Sequence, residues 1–234
     1  MLLRYSPMRI FCSTLALNII LMRYLITSLF LLFTSLTFYS QSIPDLFNKD
    51  VQITWLGIDF AQTKIIGEWA HFGGVGQQGV GDIRDKYFPG WNNLILSESD
   101  KYNLKSMMRQ DDIYIDIGMI MDRNAEVSIR QLESYNPPNY STEDIQNFVS
   151  SYELESKAGI GMVFISEYMS KYTNDALFHF VMLDLETRQI LIHQACKVQP
   201  FGFGIRNYWA GSILDLIENI RDVHYPKWSR LYGE

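Results

Sequence analysis

Cysteine is almost absent from this chain, with two residues in 234, Cys12 and Cys196. Histidine is scarce as well, at positions 71, 179, 193 and 224 only, and no two of them have the four-residue spacing of a helical metal pair. There is no Cys-x-x-Cys, no His-Glu-x-x-His and no Gly-x-Ser-x-Gly. The short signatures of dithiol redox enzymes, zinc peptidases and α/β-hydrolases are therefore missing, and no cofactor or metal is expected. A basic stripe is lacking too. Lys and Arg number 20 against 26 Asp and Glu, and the aromatic-rich segments are not interleaved with basic clusters. Binding nucleic acid requires such clusters to neutralise phosphates, so that class of partner is excluded.

What the chain does have is an unusual start. Arg23 is followed by an uncharged apolar run from Leu25 to Tyr39 and then by the small polar residues Ser40, Gln41 and Ser42. A basic start, an apolar middle and a small-residue exit make a secretory signal peptide over residues 1–40, cut near Gln41. Arg4, Arg9 and a second apolar run, Ile10 to Leu21, make this leader long, and a start at Met22 gives one of ordinary length. The competing reading is a permanent anchor. A spanning helix needs about 20 apolar residues, however, and Leu25 to Tyr39 is shorter and carries Thr27, Ser28, Thr34, Ser35 and Thr37. Cleavage is favoured, leaving no stable transmembrane span. With no cysteine near the exit, lipid attachment there is unsupported. The expected destination is outside the inner membrane: periplasmic, outer-membrane-associated or secreted.

Removing residues 1–40 removes three arginines and no acid, so 17 basic residues face 26 acidic ones, a net charge of −9. The remaining residues, 41–234, fit one domain, long enough to bury a core without covalent staples. Only Cys196 is left, so no intramolecular disulfide forms despite an oxidising destination. Its place in an alternating segment with Ile190, Ile192 and Val198 reads as an inert core position rather than a reactive thiol.

Val51 to Phe60 is rich in β-branched and aromatic residues and predicts the first strand. The glycine-rich stretch 71–81 is a loop, and Asp82 and Ile83 follow where a phosphate-binding loop needs Lys-Ser/Thr. A helix is expected from Asp82 to Ser97, starting afresh near Pro89. Asp112 to Met119 alternates and predicts a strand with Asp112 and Asp116 on one wet face. Ser141 to Asp144 offers caps for a helix running to Leu154. Three strands follow, Gly159 to Met169, Ala176 to Leu185 and Gln189 to Val198, the middle one apolar on both sides. A last helix starts near Asn207. The expected fold is α+β, with one mixed, mainly antiparallel sheet of about five strands packed with about three helices.

Three features could carry chemistry. Asp112 and Asp116 as a same-face carboxylate pair suit a small hydrolase acting on envelope polymers or glycans, although solvated strand faces carry such acids routinely. His179 and His193 fall on one face of the last hairpin if its turn is Glu186 to Arg188, and on opposite faces if the loop has two residues; either way a third metal ligand is missing. The string from Pro200 to Ser212 joins the last strand to the last helix. Arg206, Asn207, Tyr208 and Trp209 form a candidate docking surface there, since such residues favour binding hot spots. The competing reading makes Trp209 a plug in the core.

The leader ending in Phe-Tyr-Ser-Gln resembles those of exported proteins of Gram-negative gliding-type bacteria, and the remaining chain resembles their uncharacterised envelope proteins. The run Phe180 to Thr187, leading a late hairpin into a C-terminal helix, is distantly similar to the curli-secretion lipoprotein and to the N-terminal domain of the Tol-system propeller protein. The similarity is one of topology with about ten residues of motif. The missing lipid cysteine departs from the curli protein, and no functional residues carry over. Export, acidity and the absence of catalytic constellations instead lead to the expectation of a non-enzymatic binding or assembly module whose partner is an envelope protein or glycan.

Overall fold

A computed structural model describes Met22 and residues 41–67, 80–154 and 157–233. The leader, Met22 apart, and residues 71–79 of the glycine-rich loop lie outside the described residues, while Val80 and Gly81 open the first helix. The strands are β1 (Ile53–Asp59), β2 (Lys64–Ile66), β3 (Tyr114–Ile115), β4 (Glu133–Ser134), β5 (Ile160–Ser170), β6 (Asp175–Asp184) and β7 (Ile190–Val198). Helix α1 joins Val80–Asp82, a π-helical Ile83–Tyr87 and Phe88–Ser97; α2 is Leu104–Met108, α3 Gly118–Ala125, α4 Ile129–Leu132 and α5 Thr142–Ser150. Helix α6 joins Gly204–Asn219, a π-helical Ile220–His224 and Tyr225–Tyr232. Among the described residues no helix is long and apolar enough to cross a membrane.

The expectation of a mainly antiparallel sheet of about five strands with about three helices is overturned. Among the described residues seven strands form one sheet, and four of its six pairings are parallel: β1 with β3 and β5, and β2 with β4 and β5. The late hairpins, β5 with β6 and β6 with β7, are the antiparallel pairs among the described residues. Parallel neighbours need crossover connections, and these supply the additional helices. The fresh helix start at Pro89 is also corrected. Both long helices continue through a proline, Pro89 or Pro226, and each has its π segment immediately upstream. A proline lacks the N–H and crowds the carbonyl four residues back, and a widened turn relieves that crowding.

Two apolar layers cover the sheet. One packs Phe88, Trp91, Met107, Trp209, Ile213 and Leu216 on Trp55, Phe164, Phe180 and Met182. The other packs Ile120, Ile145, Val149 and Tyr152 on Leu56, Val163, Ile165, Val181 and Leu183. Cys196 is 4% exposed in the first layer, where burial and then Asp215 push its thiol up to about 12; it is protonated and inert.

The edge of β1 is finished in an unusual way. β3 pairs only with Thr54 and Trp55, and Asp116 N–H donates to Trp55 O, after which the neighbour strand stops. Two buried amides take its place. Asn92 of α1 accepts from Ile58 N–H at 2.7 Å and donates to Ile58 O at 3.0 Å; Asn124 of α3 donates to Ile58 O at 2.8 Å and accepts from Phe60 N–H at 2.7 Å. Gly57 makes room for this clamp. Its φ is +114°, and a Cβ there would lie 2.8 Å from Asn92 Oδ1.

Candidate functional site

The β6–β7 hairpin brings the two central histidines together, though not through the turn expected. Asp184 N–H donates to Gln189 O, which makes a four-residue loop ending at Arg188 in a left-handed conformation (φ +60°). Leu183 then pairs with Ile190 but Met182 with Ile192, so Leu191 is a bulge. That single extra residue reverses the parity of the rest of β7. It places His179 opposite Ala195 and His193 opposite Val181, as diagonal neighbours on one face.

A second bulge completes the cluster. Ser166 pairs with Phe178 and Tyr168 with Leu177, leaving Glu167 as the unpaired residue of β5, and its carboxylate turns onto the histidine face. Glu167 Oε2 lies 2.7 Å from His179 Nε2, His179 Nδ1 lies 2.8 Å from His193 Nε2, and His193 Nδ1 lies 3.2 Å from Thr142 Oγ1. Tyr140 N–H also donates to Glu167, at 3.3 Å. Glu167 and His179 are buried, His193 is half-buried and Thr142, in the first turn of α5, is exposed. One set of tautomers satisfies every link: Thr142 donates to His193, His193 to His179 and His179 to the carboxylate. The line runs from solvent to a buried acid. It is a chain and not a ring, and among the described residues no group of His, Cys, Asp or Glu is arranged to hold a metal ion. Sequence reasoning missed Glu167, although one acid inside the apolar string Ile160 to Met169 signals a buried, paired carboxylate.

Burial first, and then the neighbouring His179, lower the His193 pKa to about 4. In the unfolded chain this imidazole takes up a proton near its ordinary pKa of about 6.5. Its contribution to stability is therefore complete above that value and is lost as pH falls toward about 4. After solvent screening of a half-buried group the expected loss is about 1–2 kcal/mol. Urea unfolding at pH 7 and pH 4.5 should show this loss in the wild type and a smaller one in His193→Gln. Equal losses in the two proteins would refute a depressed His193.

Next to this line on the same sheet face is a groove of about 520 Å3. Tyr168 pairs with Leu177 and Leu177 with Lys197, one row along from His179 and Ala195, so these side chains share a face. Tyr135 and Tyr172 flank the groove at 81% and 75% exposure. Lys197 Nζ lies 2.7 Å from Asp175 Oδ2, and Thr173 Oγ1 donates to Asp175 Oδ1 at 2.6 Å. Charged and hydroxyl groups thus sit at fixed positions between aromatic walls.

The docking string stands elsewhere and is only partly at the surface. Trp209 is 2% exposed and belongs to the core, a correction to its expected place on a docking surface. Gly211 explains the close packing, since a Cβ there would lie 2.2 Å from Phe201 O. Arg206 and Asn207 are exposed, bonded to each other at 3.0 Å, and Arg206 reaches Glu98 at 3.4 Å. Tyr208 is half-buried. Its hydroxyl donates to Asn174 at 3.0 Å and its ring lies under Lys171 Nζ, 3.5 Å from the centroid, so it braces the β5–β6 turn that carries Tyr172.

The expected strand of Asp112 to Met119 is also corrected. Only Tyr114 and Ile115 are strand, and α3 begins at Gly118. Asp112 pairs with Lys105 and lines one cavity, whereas Asp116 pairs with Lys157 and lines another with Asp122, Arg123 and Glu126. The two carboxylates do not share a site. No protein-family model matches the chain, and no curated protein matches it.

Proposed function

We propose that this protein is exported and binds a glycan of the cell envelope without catalysing a reaction, with the tyrosine groove as its binding surface. The observation that carries the reading is the pair of solvent-exposed rings, Tyr135 and Tyr172, facing a groove with Asp175 and Lys197 in it. A sugar ring presents C–H groups on its faces and hydroxyls around its rim. Flat phenol rings suit the faces, and a carboxylate, an ammonium and a hydroxyl suit the rim. The groove volume lies within the range of small-ligand sites. The apolar leader supplies the route out of the cytoplasm. A net charge of −9 after removal of the leader argues against polyanions as partners.

Retention on purified peptidoglycan sacculi and on an immobilised uncharged envelope polysaccharide tests the reading. Wild-type protein should bind at least one of the two, and Tyr172→Ala and Tyr135→Ala should each weaken binding about tenfold, the effect of about 1.4 kcal/mol. Tyr208→Ala should weaken it less, through the turn it braces. No retention on either matrix, or equal retention by folded tyrosine variants, would sink the assignment.

A further inference from the structure

Gln41 N lies 2.5 Å from Asp184 Oδ2. Asp184 ends β6 and is 1% exposed. Its other oxygen, Oδ1, is taken up inside the hairpin turn by Glu186 N–H at 3.0 Å, Thr187 N–H at 2.7 Å and the Thr187 hydroxyl at 2.9 Å. Burial by itself would raise this carboxyl, but the donors of Thr187, Gln41 and Glu186 outweigh burial and hold it below the usual carboxylate range. Among the described residues no side-chain cation stabilises it. Among the described residues the donor to Oδ2 is the Gln41 nitrogen, 143 positions away in the chain, so this buried carboxylate serves as a receptor for it.

The neighbouring residue is tied down as well. Ser42 N–H and Ser42 Oγ both reach Asp45 Oδ2 at 2.7 Å, closing the start of the 3₁₀ turn Ile43–Phe47, whose Leu46 is 1% exposed. The small residues Ser40 and Ser42 leave a leader peptidase two cuts. Cutting after Ser42 puts small residues at both recognition positions, but it removes the Ser42 cap and strips the donor from Asp184. Cutting after Ser40 keeps both ties and converts the bonded amide nitrogen into an ammonium, which strengthens a hydrogen bond to a carboxylate.

Resting on the export reading above, we infer that the mature chain begins at Gln41 and that Asp184 is the built receptor for its α-ammonium. In the processing step water adds across the Ser40–Gln41 amide under a leader peptidase. The C–N bond breaks, the carboxylate leaves with Ser40, and the nitrogen stays on Gln41 as the ammonium.

The test expresses the full chain with its leader in a Gram-negative host and takes the exported product to intact mass measurement and N-terminal sequencing. The expected product is residues 41–234. At pH 7 its α-amine should react with an acylating reagent about tenfold more slowly than that of exported Asp184→Asn, since each unit by which a carboxylate raises an amine's pKa removes tenfold of the neutral form. Asp184→Glu, which keeps the charge, should recover part of the protection. An exported product starting at Ile43 or elsewhere overturns the inference and leaves export standing. So does a Gln41 terminus closed to a lactam, or one as reactive in the wild type as in Asp184→Asn. A chain retained in the cytoplasm with its leader overturns the export reading and the inference together.

Discussion

Asn92→Ala and Asn124→Ala should each lower the unfolding free energy by about 3 kcal/mol, large effects for single polar truncations. Without the Asn92 amide, Ile58 N–H loses its acceptor inside the core, since Asn92 is fully buried and Ile58 likewise. Without the Asn124 amide, Phe60 N–H is orphaned in the same way. A buried unpaired donor costs about 1–3 kcal/mol, and the void left by the side chain adds to it. Asn92→Asp should be as damaging as the truncation. It keeps an acceptor for Ile58 N–H, but it sets a second oxygen against the carbonyls of Ile58 and Phe88 and buries a charge. Urea unfolding at pH 7 with an unchanged m-value reads these losses directly. A loss below about 1 kcal/mol for both alanine variants would mean that the amides do not replace the missing strand.

The second large effect concerns the buried acid. His179→Leu should cost about 3–5 kcal/mol, because among the described residues it leaves the Glu167 carboxylate, at 2% exposure, with the long donor from Tyr140 N–H. Glu167→Leu should cost less, about 1–3 kcal/mol, because what it strands is a neutral imidazole N–H. The double variant should then be more stable than His179→Leu alone by about 2 kcal/mol, since the second substitution removes the uncompensated charge that the first created. This sign reversal is the diagnostic feature. Simple additivity of the two losses would show that Glu167 finds other partners or is not ionised, and the directional chain to Thr142 would lose its anchor.

Both predictions rest on residues that behave differently with respect to local pattern. The hairpin strands were legible because their neighbours in sequence are their neighbours in space; Ile160–Ser170, Asp175–Asp184 and Ile190–Val198 each fall within a residue or so of the expected bounds. The start of α5 was legible for the same reason, as Ser141 and Asp144 form a capping box within one turn. The meeting of His179 and His193 was half legible. The alternation of the strands allowed it, but the deciding parity came from the Leu191 bulge, which only pairing with β6 reveals. Glu167 carried a signal in its apolar surroundings, and its partner did not.

The misread segment is instructive in the same terms. Ile113, Ile115, Ile117 and Met119 alternate as a strand should, yet Ile120 and Asn124, fully or almost fully buried and four apart, are on one face of a helix. Local alternation is a weak preference, while capping the open edge of β1 with Asn124 satisfies two buried backbone groups. The tertiary demand is the larger energy and it wins. Parallel pairing escaped notice for a related reason: Ile53 lies against Ile160 across the whole intervening chain, and nothing within either segment names the other.

The sequence by itself determined the acidity, the uncharged apolar run from Leu25 to Tyr39, the scarcity of cysteine and the lack of short catalytic signatures, and the amphipathic or apolar character of each long segment. These follow from composition and from interactions spanning a few residues, and such terms are fixed before the chain folds. Only the tertiary structure decided which strands lie parallel, that two asparagines finish a strand edge, that Tyr135 joins Tyr168 and Tyr172 in one groove, and that Asp184 meets the nitrogen of Gln41. Each depends on groups far apart in the chain whose contact is worth its entropic cost only when the rest of the core has already brought them together.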